Sequence, residues 1–537
     1  MTRTLIIGLD GATWDVIKPL AEEVKLLAFN RLMEDGVWGD LESTVPPVTV
    51  PAWISLATGM NPGKIGLFDF LSRKDNTYKL HPATSSDFQR NAIWDYVSAS
   101  GKRVGVVNYP MLFPPYEING FMISGVGSSE TSNITFPKSL KKKIDDIANK
   151  YEIAVNYHNE KYDDDDLYLK DLYRVLEKRT KVIYHLMKEE DWDLFVSIFS
   201  CIDWTQHLMW KHIDKSHPLY NPKRSEKYKQ EFIKFWIKID DIVGDMIKIA
   251  GKNTNIFILS DHGFGPQDEC FNLGKWLEEK GYLVRKKKEK KVILKEKMKP
   301  VLSMAGKIGL GKILPKRCIA KVSGSFTTSI VDQIDFEKSR AYICGHTIPF
   351  GGIYLNVNGR DPQGCINNGS EYDALKRKII RELKDLRKDV GQDVEVSIFD
   401  PKEIYKGEKV ELAPDILFTI DNWRCIINEE NFDDVLFKNE PYSNRHTGSH
   451  RMNGIFVAYG PDIKKGIKIN KVKIYDIAPT ILHMFSVPVP KDMDGRVLKE
   501  IFEEDSKFAK REIECQEVDE KERINKKIKE LKSLGKI

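Results

Sequence analysis

Leu194-Phe195-Val196-Ser197-Ile198-Phe199-Ser200-Cys201-Ile202-Asp203-Trp204-Thr205-Gln206-His207 reads as a strand that passes directly into a helix. The apolar part is too short for an independent helix and has the continuous hydrophobicity of a strand buried on both faces. Asp203 and His207 are four residues apart, so on a helix they share one face. Four more runs of this kind recur at Leu5–Leu9, Val104–Val107, Ile256–Leu259 and Ile455–Tyr459. Helical stretches at Arg90–Ala99, Leu167–Lys188 and Glu231–Ala250 precede three of the runs. Alternating strand and helix predicts an α/β fold, a mostly parallel sheet sandwiched by helices.

Ligands of such a sheet bind beyond the C-terminal strand ends. The first run ends at Asp10, the Leu194–Phe199 run leads to Asp203 and His207, and the Ile256–Leu259 run leads to Asp261-His262-Gly263. His450 lies in His446-Thr447-Gly448-Ser449-His450-Arg451, just before the last run, with His446 as an alternative. These oxygen and nitrogen donors suit Zn²⁺ or Mn²⁺, and six of them suit two ions held by three groups each. Two ions with open positions can clamp a phosphoryl group.

Pro46-Pro47-Val48-Thr49-Val50-Pro51-Ala52-Trp53-Ile54-Ser55-Leu56-Ala57-Thr58-Gly59 reads as an extended loop entering a helix. Thr49 is expected at the N-cap, Pro51 in the first turn and Gly59 at the stop, followed by a turn at Asn61-Pro62-Gly63. A hydroxyl at a helix N-terminus sits where anions are favoured. Beside a cation it becomes a candidate nucleophile.

The 537 residues are enough for two or three domains. Lysine and arginine exceed aspartate and glutamate by only 84 − 79 = 5, too weak a basic signature for a nucleic-acid polymer as partner. Seven scattered cysteines, with no Cys-x-x-Cys pair, argue against a disulfide framework or a thiolate zinc site and for a cytoplasmic setting. Neither a signal peptide nor a bilayer-spanning run is evident. The expected organisation is a catalytic core over 1–280 and 441–505, an inserted α+β cap over 281–440, and a charged helical tail over 506–537. Within the cap, strands are expected at Gly352–Val357 and Val394–Phe399 and a helix at Tyr372–Leu386. The basic stretch Arg285–Lys299 and the glycine-interrupted apolar stretch after it, to about residue 315, read as a solvated arm or as a membrane-surface contact. Asp476 is expected to cap a helix beginning at Ile477.

The ordered set Asp10, Thr49, Asp203-x-x-x-His207, Asp261-His262-Gly263 and His450 resembles the alkaline phosphatase superfamily, in its type I phosphodiesterase/nucleotide pyrophosphatase branch and the related predicted phosphohydrolases and phosphomutases. Asp476-Ile477-Ala478-Pro479-Thr480 with Met493-Asp494-Gly495-Arg496 resembles that superfamily's C-terminal part. The resemblance implies an alkaline-phosphatase-like fold and two divalent ions. Asp203, His207 and His450 would hold one; Asp10, Asp261 and His262 would hold the other, with Thr49 bridging to it. It implies hydrolysis of a small-molecule phosphodiester or phosphomonoester through a phospho-threonine intermediate. Transfer of the phosphoryl group to a second hydroxyl is the alternative, and non-catalytic binding of a phosphorylated ligand or a membrane surface is the third reading. The chain departs from the nucleotide pyrophosphatases at Phe68-Asp69-Phe70, where they carry an asparagine, and has Thr49-Val50-Pro51-Ala52-Trp53 in place of Thr-Phe-Pro-Asn-His. Asn108, Arg360 and Arg451 are candidate contacts for substrate oxygens.

Overall fold

The computed structural model describes residues 3–517 except 24, 74–76, 90, 130–131, 156–164, 287–329, 345–346, 349, 387–393, 430–431 and 433–434. Most of the basic stretch 285–299, the apolar stretch after it and the end of the tail from 518 therefore lie outside the described residues. In the described part of the tail, only Lys507–Lys510 is helical.

Nine strands form the central sheet: β1 (Arg3–Leu9), β2 (Val37–Glu42), β3 (Val104–Tyr109), β4 (Gly120–Ser124), β5 (Thr135–Phe136), β6 (Leu194–Phe199), β7 (Thr254–Leu259), β8 (Asn453–Tyr459) and β9 (Ile467–Lys473). Their order across the sheet is β9-β2-β8-β7-β1-β6-β3-β4-β5. From β7 to β4 every pairing is parallel. All five runs expected from sequence are strands of this sheet. Along β1, Leu5, Ile7 and Leu9 enter one apolar core and Ile6 the other. Helices Trp14–Glu22, Asp165–Glu189, Cys201–Ile213 and Pro222–Ala250 cover the first face; helices Thr49–Thr58, Ile93–Ala99 and Ile477–Met484 cover the second.

Two strand directions differ from the simple parallel reading, that of the short edge strand β5, antiparallel to β4, and that of β8. β8 runs antiparallel to both β2 and β7. An antiparallel strand begins at the rim where its parallel neighbours end. Asn453 pairs with Glu42, the last residue of β2, and Phe456 pairs with Leu259, the last residue of β7. His450, which precedes β8, is thereby delivered to the same rim as Asp10, Asp203 and Asp261, which follow β1, β6 and β7.

Helix Thr49–Thr58 is buried along its whole length, as its unbroken apolar character requires. Thr49 is its first helical residue; Val48 is the N-cap and makes no side-chain capping bond. The expected cap is thus displaced by one position: Val48 is the last extended residue, at φ −121 and ψ 140, and Thr49 is already helical. Gly59 closes the helix with φ +68, the left-handed value that glycine takes without strain. Asn61 caps a further helical turn, Pro62–Ile65, where a plain turn was expected. Asp476 caps a 3₁₀ turn through Lys473 N and also accepts from Arg496 N; it makes no side-chain bond into the helix that follows.

Close approach of helix to sheet rests on Gly8 in β1. A Cβ there would stand 2.5 Å from Trp53 Cη2 and 2.3 Å from Ile198 Cδ1. Gly8→Val should cost about 1–3 kcal/mol of stability by overpacking, read from urea unfolding midpoints; an unchanged midpoint would show that Trp53 has room to move.

Beyond β7 the chain forms a two-stranded ribbon, Gly263–Pro266 against Gly448–Arg451. Between these two strands, residues Glu269–Asn272, Thr347–Ile348, Cys425–Asn428 and Phe437–Lys438 form one four-stranded sheet. Ala341–Tyr342, Gly351–Leu355, Ile416–Ile420 and Val396–Phe399 form another. Helix Ser370–Lys384 joins them around an apolar core of their own.

Candidate metal centre

Three elements and the ribbon deliver six ligand-type side chains to one place. Asp203 and His207 stand one turn apart on helix Cys201–Ile213. Their Oδ1 and Nε2 are 3.4 Å apart, and His450 Nε2 lies 3.3 Å from the same carboxylate oxygen and 3.3 Å from His207 Nε2. Asp10, Asp261 and His262 form a second group, with His262 Nε2 3.3 Å from Asp261 Oδ2 and 3.8 Å from Asp10 Oδ1. The two groups adjoin: the rings of His262 and His450 are stacked, 3.7 Å between centroids. All six residues are buried.

The hydrogen bonds fix what these groups present to one another. His207 Nδ1 faces Gly448 O at 2.7 Å, His450 Nδ1 faces Pro47 O at 3.0 Å, and His262 Nδ1 faces Gly263 O at 3.0 Å. A carbonyl only accepts, so each Nδ1 carries a proton and, in the neutral ring, each Nε2 turns a bare lone pair inward. Asp10 Oδ1, Asp203 Oδ1 and Asp261 Oδ2 are buried and have no hydrogen-bond partner among the described residues. Leaving such atoms unpaired costs free energy. Lone pairs converging on lone pairs are repulsive unless a cation sits between them. Two sets of three, His₂Asp and HisAsp₂, match divalent ions that keep open positions. The residues present thus fit the divalent metal implied by sequence.

Electrostatics point the same way. Burial, then the neighbouring Asp261 and Asp203 carboxylates, holds Asp10 well above the usual carboxylate range. Burial and Asp203 raise Asp261 likewise, against a bond from Gly11 N. Burial alone would raise Asp203, but His207 and His450 hold it well below. Asp203 also raises His207 against the effect of burial, whereas burial lowers His262 and His450. A metal must therefore displace protons from Asp10 and Asp261, and from His207, but none from Asp203. Proton competition weakens as pH rises from about 4, where an ordinary carboxyl ionises, through the raised values of the two carboxyls. Stabilisation by added metal should grow in that direction. Unfolding midpoints with and without chelator across this range test the sign; a gap that widens toward acid contradicts it.

Thr49 stands beside the second group, with Oγ1 3.5 Å from His262 Nε2. His446 belongs to neither group; its ring lies 4.6 Å from that of His207. The three expected substrate contacts are engaged elsewhere. Arg360 makes a bidentate pair with Asp415 at 2.7 and 2.8 Å. Arg451 reaches the carbonyls of Trp423 and Pro266, and burial and the nearby Arg424 push it down to about 9. Asn108 is fully buried between Tyr151 and Arg179. Each side chain is turned from the rim by a nearer partner, so none reaches the six-residue cluster.

Sequence reading missed the groups that orient the ligands. The carbonyls of Pro47, Gly263 and Gly448 fix the imidazoles, Gly11 N holds Asp261, and Gln206 Nε2 ties Gly11 O to the helix of Asp203 at 2.6 Å. Phe264 packs against His207, His262 and His450. Backbone donors and acceptors leave no mark in sequence. Gly448 does, because a Cβ there would meet Phe264 at 2.7 Å and Trp210 at 2.9 Å.

Comparison with known proteins matches this arrangement to a family. The family model described as type I phosphodiesterase / nucleotide pyrophosphatase matches residues 4–450. No curated protein matches the sequence. Among solved structures, murine ectonucleotide pyrophosphatase / phosphodiesterase 5, in an inactive threonine-to-alanine form in complex with AMP, has 13% identity and a TM-score of 0.51 over 94% of this chain and 100% of its own. The same murine protein in another structure has 14% identity and a TM-score of 0.51 over 93% of this chain and 100% of its own. These likenesses show the fold. The family match spans both strand ends and all six ligand positions, and on it the chain belongs to the type I phosphodiesterase / nucleotide pyrophosphatase family of phosphoric ester hydrolases.

Proposed function

We propose that this chain hydrolyses a small phosphodiester or phosphomonoester by covalent attack of Thr49, with two divalent ions, Zn²⁺ or Mn²⁺, held by Asp203–His207–His450 and by Asp10–Asp261–His262. The observation that carries the reading is the Thr49 hydroxyl beside two adjoining sets of buried, inward-facing lone pairs. When bound, such ions supply Lewis acidity and lower the pKa of a neighbouring hydroxyl or water. Thr49 Oγ1 loses its proton to solvent and forms the bond to phosphorus as the ester P–O bond breaks. The leaving oxygen departs as an alcohol, taking its proton from solvent. Water then attacks phosphorus, the bond to Thr49 breaks, and phosphate or a phosphomonoester leaves. The first N–H groups of helix Thr49–Thr58 have no carbonyl within the helix to bond, so they favour the anionic group beside Thr49. His207, His262 and His450 stay in one tautomer through their carbonyl partners and keep their Nε2 atoms inward.

Two features of the murine relative support this reading: its inactive form lacks a threonine, and it carries AMP. We assign residues 281–440 to a cap that selects the leaving group. We place the protein in the cytoplasm, because Cys201, Cys344, Cys365 and Cys515 are free thiols. Among the described residues no helix is long and apolar enough to cross a membrane.

The test is product analysis across aryl diesters, nucleotide diesters, sugar phosphates and aryl monoesters, with metal content measured on protein purified without chelator. Release of phosphate or a monoester, with about two ions per chain, is expected. A phosphoryl group found on a second organic hydroxyl would replace hydrolysis by transfer.

A further inference from the structure

A cavity of about 470 Å³ opens in the region between Arg73 and residues 357–415, within the range of small-molecule pockets. None of its lining residues belongs to the metal centre or is Thr49. Arg73, Arg360, Lys376 and Lys402 line it together with two carboxylates, Asp415 and the exposed Glu411, and Asp361 stands behind the two guanidiniums. Asp361 accepts from Arg73 Nη1 and the Tyr342 hydroxyl at one oxygen, and from Val357 N and Arg360 Nε at the other. Asp415 accepts from Arg360 Nη1 and the Tyr372 hydroxyl at one oxygen, and from Arg360 Nη2 and Leu355 N at the other. A carboxylate offers about four acceptor sites, so both are saturated. Donors are left over. Arg73 has a side chain only 2% exposed, lines the cavity, and its buried Nε has no partner among the described residues. Lys376 lines the cavity with one partner at 3.3 Å, Asp400, and Lys402 stands exposed at its edge. Helix Ser370–Lys384 starts against the cavity, with Tyr372 and Lys376 on the lining face and no side-chain cap from Gly369. Four cationic side chains against the filled Asp415 and the exposed Glu411 leave donors in surplus, which calls for an acceptor-rich guest.

We propose that this cavity is a second binding site, for a small organic oxyanion bearing a phosphate or a carboxylate, seated on Arg73 Nε, Lys376 and Lys402. It is separate from the catalytic rim but touches its approach. Its wall, residues 401–415, carries Tyr405, whose hydroxyl donates to Val45 O at 2.6 Å, four residues before Thr49. Lys409 N in the same wall bonds Gly63 O at 3.0 Å, just past the helix that Thr49 begins.

Isothermal titration of the full-length chain with inorganic phosphate and with succinate tests the site. A saturable component that survives chelation is expected for at least one probe, since the cavity needs no metal. A response to phosphate alone assigns a phosphorylated ligand; a response to succinate alone assigns a carboxylate. The double variant Lys376→Gln, Lys402→Gln should weaken that component by about tenfold or more while leaving turnover of an aryl phosphoester unchanged. Arg73→Lys keeps a cation against Asp361 but removes Nε, and should weaken binding at an unchanged unfolding midpoint. Absence of chelator-resistant binding by both probes overturns the proposal, as does wild-type affinity in the double variant. Either failure leaves the hydrolytic reading of Thr49 intact, because that is judged by turnover alone.

Discussion

Thr49→Ala is expected to lower turnover of any substrate the protein accepts by at least about a thousandfold, or about 4 kcal/mol in the barrier. The size follows from the role: without the hydroxyl no covalent route exists, and only positioning of the ester and of water remains. The variant is informative because little else should change. Thr49 is the first residue of its helix and not the cap, so alanine loses no capping bond and is a good helix former. Among the described residues, its hydroxyl has one side-chain partner within hydrogen-bond range, His262 Nε2 at 3.5 Å. Six ligands remain, so metal content and unfolding midpoint should match the parent. Near-parental turnover with full metal content would remove Thr49 from the mechanism.

Asp203→Asn should cost more than about a hundredfold in activity, exceeding the 10–100-fold typical of changes one shell further out. Asp203 Oδ1 is the common vertex of its group, in contact with Nε2 of both His207 and His450. The amide is nearly isosteric but uncharged, so it leaves two neutral imidazoles to hold a dication. Metal analysis should then find about one ion per chain retained, at Asp10–Asp261–His262. Loss of both ions would mean that the stacked His262 and His450 couple the two groups more tightly than separate sites do. Full retention with full activity would place the catalytic ion elsewhere.

The parts legible in sequence were those whose signal is local. Leu194–Phe199 announced a buried strand by composition, and Asp203 and His207 announced a shared face by spacing. Val37–Glu42 and Ile467–Lys473 were not recognised, because β9 is an edge strand with exposed lysines and β2 alternates with polar residues. Strand direction was also invisible: nothing in Ile455–Tyr459 says that it runs antiparallel, yet that direction brings His450 to Asp203. The partners of Arg360 and Arg451 were invisible for a related reason. An arginine's value as an anion contact depends on whether Asp415 or a ring of carbonyls reaches it first, and those partners lie far away along the chain.

The placement of β8 has a consequence for biosynthesis. β2, which leads to Thr49, joins the remaining sheet only through β8, since β2 pairs with β8 and β9 and β8 alone pairs on to β7. Until residues 453–459 emerge from the ribosome, the nascent chain can hold a five-ligand fragment but has no strand to stitch the threonine's segment to it. Such distant pairing is slow to form, so the sheet on the threonine's side is completed only when nearly the whole chain has been made.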